Sequence, residues 1–150
     1  MNYCAEESLE IVRIEAYTLD QITIPPSYLR SRTIPVAQVK ITGTPTIVSL
    51  RQQSARPASN RAEDEAGPYF TNSLSWQSDD TSPETMTQIA DLENNEHHFI
   101  YYLYGGARRL MYNEDGFGQS FAQVTGGEEE GANVNISMQS RMPVLSIIEN

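Results

Sequence analysis

Cysteine occurs once in the 150 residues, as Cys4, so no disulfide can close within the chain. That thiol has no visible catalytic partner. Lysine is equally scarce: nine of the ten basic residues are arginine, and Lys40 stands alone. Twenty acidic residues against those ten leave a formal net charge of -10, which argues against a nucleic-acid binder, because affinity for a duplex rests on cations that displace counterions. No apolar run approaches the ~20 residues that a membrane helix needs, and the opening MNYCAEESLE is acidic where a leader would be basic and then apolar. The chain is therefore expected in the cytosol where it is made, with no membrane partner.

Motifs of chemistry are also lacking. There is no Gly-x-Ser-x-Gly elbow, no glycine loop followed by Lys and Ser or Thr, and no Cys-x-x-Cys. His97 and His98 are adjacent, and two neighbours within one strand point to opposite faces, so they cannot chelate one ion together. The acidic clusters Glu63-Asp64-Glu65, Asp79-Asp80, Glu114-Asp115 and Glu128 to Glu130 fall in expected loops, where nothing desolvates one carboxyl to tune it as an acid. No cofactor, metal or catalytic residue is expected, and the chain is read as no enzyme.

What the sequence does have is β structure. With 39% hydrophobic residues it is long enough for one ordinary core, and a single domain is expected. Residues 99–112, FIYYLYGGARRLMY, read as a hairpin turning on Gly105-Gly106, with Tyr101 facing Leu110, Leu103 facing Arg108, Ile100 facing Met111 and Tyr102 facing Arg109. Both faces are apolar, so each is expected to meet a partner surface: one this domain's core, the other a helix, a loop or another subunit.

Around this hairpin the chain supplies further strands. Residues 9–17 change parity midway, as in a strand that is bulged or covered on both faces. Residues 20–35 are a proline-rich arm, too apolar for a free linker, lying along the body or along a neighbour. Residues 36–41 and 46–53 read as a hairpin. Residues 54–67 contain no large apolar side chain and are expected to be a long polar loop, either disordered or a contact arm. There Arg56 and Arg61 precede Glu63, Asp64 and Glu65, an order that would let identical arms pair head to tail. Residues 68–77 return as a strand with Phe70, Leu74 and Trp76 on one face. Ser82 as N-cap and Pro83 at the first position start a helix running to about Asn94, with a stripe of Met86, Ile89, Ala90 and Leu92 or Glu93. Residues 113–118 and 126–131 read as turns, 119–125 and 133–139 as strands, and the apolar 143–148 either closes the sheet or docks on a neighbour. The predicted class is mainly β, an antiparallel sandwich or barrel with one short helix.

Three segments, GPYFTNSLSWQ, HHFIYYLYGGARRLMYN and ANVNISMQSRMPVL, occur in an order and texture that resembles small structural proteins of tailed bacteriophages and prophages, over about the C-terminal half. The resemblance implies a ring-forming virion component of the tail tube or of the neck that joins head to tail, with itself and other tail or neck proteins as partners. It also implies that a loop at 54–67 reaches the adjacent ring. An acidic subunit can line a channel through which DNA slides without gripping it. The expected self-contact involves Arg56, Arg61, Glu63, Asp64, Glu65, Tyr102, Tyr104, Val144, Leu145 and Ile147. The rival expectation is a monomeric β-sandwich binding module, in which Tyr102, Tyr104 and 143–148 are covered within one chain and the loops hold a ligand or host protein.

Overall fold

The fold, given by a computed structural model, is described for residues 10–29, 31–79, 82–113, 119–125 and 132–149, with backbone alone in 119–125 and 132. Cys4 and the turn at 126–131 lie outside the described residues. Among the described residues, twelve strands and one α-helix form a mainly antiparallel β-sandwich. The larger sheet contains β1 (Ile11–Thr18), β3 (Thr33–Pro35), β5 (Thr46–Ile47), β8 (His97–Leu103), β9 (Arg108–Met111) and β12 (Leu145–Ile148), in the order β3-β12-β9-β8-β1-β5. The smaller contains β6 (Arg56–Asp64), β7 (Gly67–Ser78), β10 (Gln119–Thr125) and β11 (Ala132–Ser140), in the order β10-β11-β7-β6. A ribbon of β2 (Ile22–Thr23) and β4 (Lys40–Ile41) completes the set, and β12 beside β3 is the parallel pair.

Period-2 patterning builds the core between the sheets. Phe70, Asn72, Leu74, Trp76 and Ser78 of β7 point inward, as do Val134, Ile136 and Met138 of β11. They meet Ile14 and Ala16 of β1 and Phe99, Tyr101 and Leu103 of β8. Helix α1 (Pro83–Asn94) closes one end of this core with Ile89 and Leu92. Its Ser82 Oγ accepts the Thr85 N–H, as the capping pattern predicts. Ala90 is exposed, and the third buried position of the helix is Thr85.

The central hairpin is two-faced, as its lack of alternation predicts, and both faces are covered by its own chain. Phe99, Tyr101 and Leu103 fill the core between the sheets, while Ile100, Leu110 and Tyr102 turn to a second core on the outer side. There the proline-rich arm lies along the body: Ile22, Ile24 and Ile34 are buried against Tyr17, Met142, Leu145 and Ile147. Strand β1 carries the expected bulge, between Ile11 and Arg13, and is buried on both faces beyond it.

Four expectations need correction. The hairpin turns on three residues, Tyr104 to Gly106: the Leu103 N–H bonds the Ala107 carbonyl at 2.8 Å and both glycines hold φ near +100°, at 104° and 101°. The extra turn residue shifts the register by one, setting Ile100 opposite Leu110, Tyr101 opposite Arg109 and Tyr102 opposite Arg108, which flips β9 relative to β8. Residues 36–41 and 46–53 do not pair: 36–38 is a 3-10 turn, β4 joins β2, and β5 joins β1. The long polar loop at 54–67 is instead strand β6, nine residues paired to β7 through a tight turn at Glu65-Ala66. It lacks strand patterning because neither of its faces is buried; the ladder to β7 sets its extended path.

Candidate functional site

Strand β6 carries four of the ten expected contact residues, Arg56, Arg61, Glu63 and Asp64, and forms one edge of the smaller sheet. Its charged side chains bond within the chain. Arg61 meets Glu63 at 2.9 Å on the same strand, while Arg56 donates to the carbonyls of Gln53 and Ala55, each at 2.8 Å. Asp64 receives Arg141 through both guanidinium nitrogens, and Arg141 also donates to the carbonyls of Gly67 and Pro68 at 3.0 and 3.2 Å. The hydrogen bonds from Arg141 hold the Asp64 carboxyl below its ordinary value. Glu65 sits exposed in the turn. Sequence reasoning passed over Arg141, which lies 77 residues from Asp64 and carries no local signal.

Tyr102 belongs to a polar network on the outer face of the larger sheet. Glu15, 4% exposed, accepts hydroxyl bonds from Tyr17 at 2.8 Å and Tyr102 at 3.1 Å on Oε1. Arg13 donates to its Oε2 at 2.7 and 2.9 Å. Arg13 and Arg108 stand over the Tyr102 ring, 5.6 and 5.9 Å from its centroid, and Arg108 reaches Glu149 at 2.7 Å. Burial, then the neighbouring Glu15 charge, raises the Tyr102 phenol; burial and the bond to Glu15 raise Tyr17 further. Arg13, Glu15 and Tyr17 share one face by the i, i+2 rule, the signal from which this network was readable.

The remaining contact candidates divide. Tyr104 is 59% exposed at the hairpin tip, anchored by its N–H to the Glu10 carbonyl at 2.7 Å. Val144 is half-buried against the inner core, and Leu145 and Ile147 are buried in the second core. Strand β12 closes the sheet between β3 and β9, so the apolar surface of Leu145 and Ile147 is spent within the chain.

Both histidines are buried and tied to their surroundings. His97 lies 3.2 Å from the Asp91 carboxylate and 3.0 Å from the Asn95 carbonyl. His98 accepts the Asn113 N–H on Nδ1 at 2.9 Å, so Nε2 carries the proton and donates to the Leu19 carbonyl at 3.1 Å. Burial depresses His98 to about 4. Among the described residues, no three His, Cys, Asp or Glu side chains gather to hold a metal ion, and no helix is long and apolar enough to cross a membrane. No family model matches the chain, and no curated protein or solved structure is significantly similar to it.

Proposed function

We propose that this chain is a non-enzymatic structural subunit that assembles with copies of itself into a ring, of the kind found in the tail tube or head-to-tail neck of a phage particle. The observation that carries this reading is the pair of strands bounding the smaller sheet: β6 at one side and β10 at the other, nine and seven residues long. A strand edge offers unpaired N–H and C=O groups to any chain that can extend the ladder. Joining β6 of one copy to β10 of the next is a heterologous contact, which repeats around a ring and closes when the rotation allows. Pro57 and the charges of β6 restrain indiscriminate pairing, as edge strands commonly do. On this reading the particle is the site of action, the host cytoplasm the site of synthesis, and other tail or neck proteins the further partners. The phage context rests on the resemblance of the C-terminal half alone.

Hydrogen exchange on dilute and assembled protein tests the contact. Amides of β6 and β10 should gain protection together on assembly; protection confined to the outer face of the larger sheet would contradict it.

The covering of Leu145 and Ile147 within the chain favours a second reading, a monomeric β-sandwich binding module. A chain that stays monomeric at all concentrations would shift the proposal to it.

A further inference from the structure

Five arginines among the described residues pair with carboxylates: Arg13 with Glu15, Arg51 with Asp79, Arg61 with Glu63, Arg108 with Glu149 and Arg141 with Asp64. Among the same residues Arg32 stands over the Phe70 ring instead, and Arg56 and Arg109 have neither an ion pair nor a ring beneath them. They come from different sheets, β6 and β9, yet both line one cleft of about 590 Å³ at the mouth of the sandwich. Arg56 is steadied by the two carbonyls that its Nη1 meets, and Arg109 makes only a 3.3 Å bond to the Arg108 carbonyl.

Tyr101, the cross-strand neighbour of Arg109, lines the same cleft. It is 5% exposed, and its hydroxyl has no hydrogen-bond partner among the described residues. Among the described residues no fully buried side-chain polar atom lacks a partner, so this hydroxyl opens onto the cleft. Burial raises its pKa, so it stays a donor at neutral pH. Leu103 and Pro57 supply apolar wall, and Glu10 also lines the space, where its charge opposes any anion and a multiply charged one most. The volume lies in the range of pockets for small molecules.

We propose that this cleft binds a small organic monocarboxylate, its carboxylate received by Arg109, Arg56 and the Tyr101 hydroxyl and its apolar body laid against Leu103 and Pro57. Three donors lining one cleft, two of them cationic, suit a planar anion. The apolar wall and Glu10 select against inorganic phosphate. This site does not depend on ring assembly, since it lies within one chain.

Benzoate is the probe, titrated into dilute full-length protein and followed by amide chemical shifts and calorimetry. Saturable binding is expected, with shifts centred on Ala55, Tyr101 and Leu103. Arg109→Gln should weaken it roughly tenfold or more, the loss of one charge-assisted contact, and Tyr101→Phe by a smaller factor. Arg61→Gln, on the same edge strand but outside the cleft, should leave it unchanged. Should Arg109→Gln misfold, the exposed Arg56→Gln gives the same test. Binding that is unchanged in the cleft variants, equal affinity for benzyl alcohol, or displacement by inorganic phosphate as readily as by benzoate would overturn the proposal. Because Arg56 and Pro57 lie on β6, the titration is made on dilute, monomeric protein, where its failure is distinct from a failure to form rings.

Discussion

Arg141 holds Asp64 through two parallel contacts, Nη1 to Oδ1 and Nη2 to Oδ2, each at 3.1 Å. The grip joins the end of β11 to the tip of the β6–β7 hairpin, so the exposed strand β6 is fixed at its far end as well as along its ladder. Arg141→Ala should leave the fold intact and speed amide exchange in residues 61–70. Because the Asp64 carboxyl is held below its ordinary value, its contribution is present at neutral pH and is lost as the pH falls below about 4. The tip should therefore loosen in acid in the native chain, and exchange in Arg141→Ala should lose that acid dependence. Equal exchange in both chains would show that the pair does not hold the edge.

Glu15→Ala removes the acceptor of two tyrosine hydroxyls and of Arg13 from a buried position. The expected loss is about 3 kcal/mol, the scale for breaking a buried pair. Glu15→Gln keeps one oxygen for the hydroxyls and should cost less. Urea denaturation of the two variants measures the order, and a larger loss in Glu15→Gln would contradict the network as described.

His98 is neutral in the folded chain, with its value depressed to about 4 by burial. Between that value and the ordinary ~6.5 of an exposed imidazole the unfolded chain binds more protons, so stability rises with pH across the window. The contribution is complete above about 6.5 and costs up to ~3 kcal/mol by the lower end. Thermal unfolding measured from pH 7 down to 4 should show this slope, and His98→Gln should flatten it. An unchanged slope in the variant would assign the acid sensitivity elsewhere.

Leu145 is fully buried between the arm and the larger sheet. Leu145→Ala should cost about 3 kcal/mol, as large-to-small changes in a packed core do. Truncation after Met142 removes β12 from between β3 and β9 and should abolish folding. A truncated chain with a native circular dichroism spectrum would contradict the placement of β12.

Elements with a buried face were legible in the sequence. Strand β7, strand β11 and helix α1 follow from alternation at Phe70 to Trp76, from Val134 to Met138, and from the Ser82-Pro83 cap. Strand β6 was not legible, because it packs on nothing: Arg56 to Asp64 reads as loop by composition, and only the ladder to β7 makes it a strand. Turn geometry escaped as well, since Gly105 and Gly106 fit two-residue and three-residue loops equally, and the choice decides which side of the sheet Leu110 faces. Of the candidate contact residues, Tyr104 lies open to solvent, while Leu145 and Ile147 read alike whether they close a sheet or meet a neighbour. Long-range pairs such as Arg141 with Asp64 have no local signature at all.

The most direct test is the mass of the purified chain in solution across concentration, by light scattering after size exclusion, beside Ala58→Lys/Asn60→Lys, which adds charge to the exposed β6 edge. A ring-sized assembly that grows with concentration is expected for the native chain and a folded monomer for the variant. A native chain that stays monomeric throughout, or an assembly that the β6 variant leaves untouched, would contradict it.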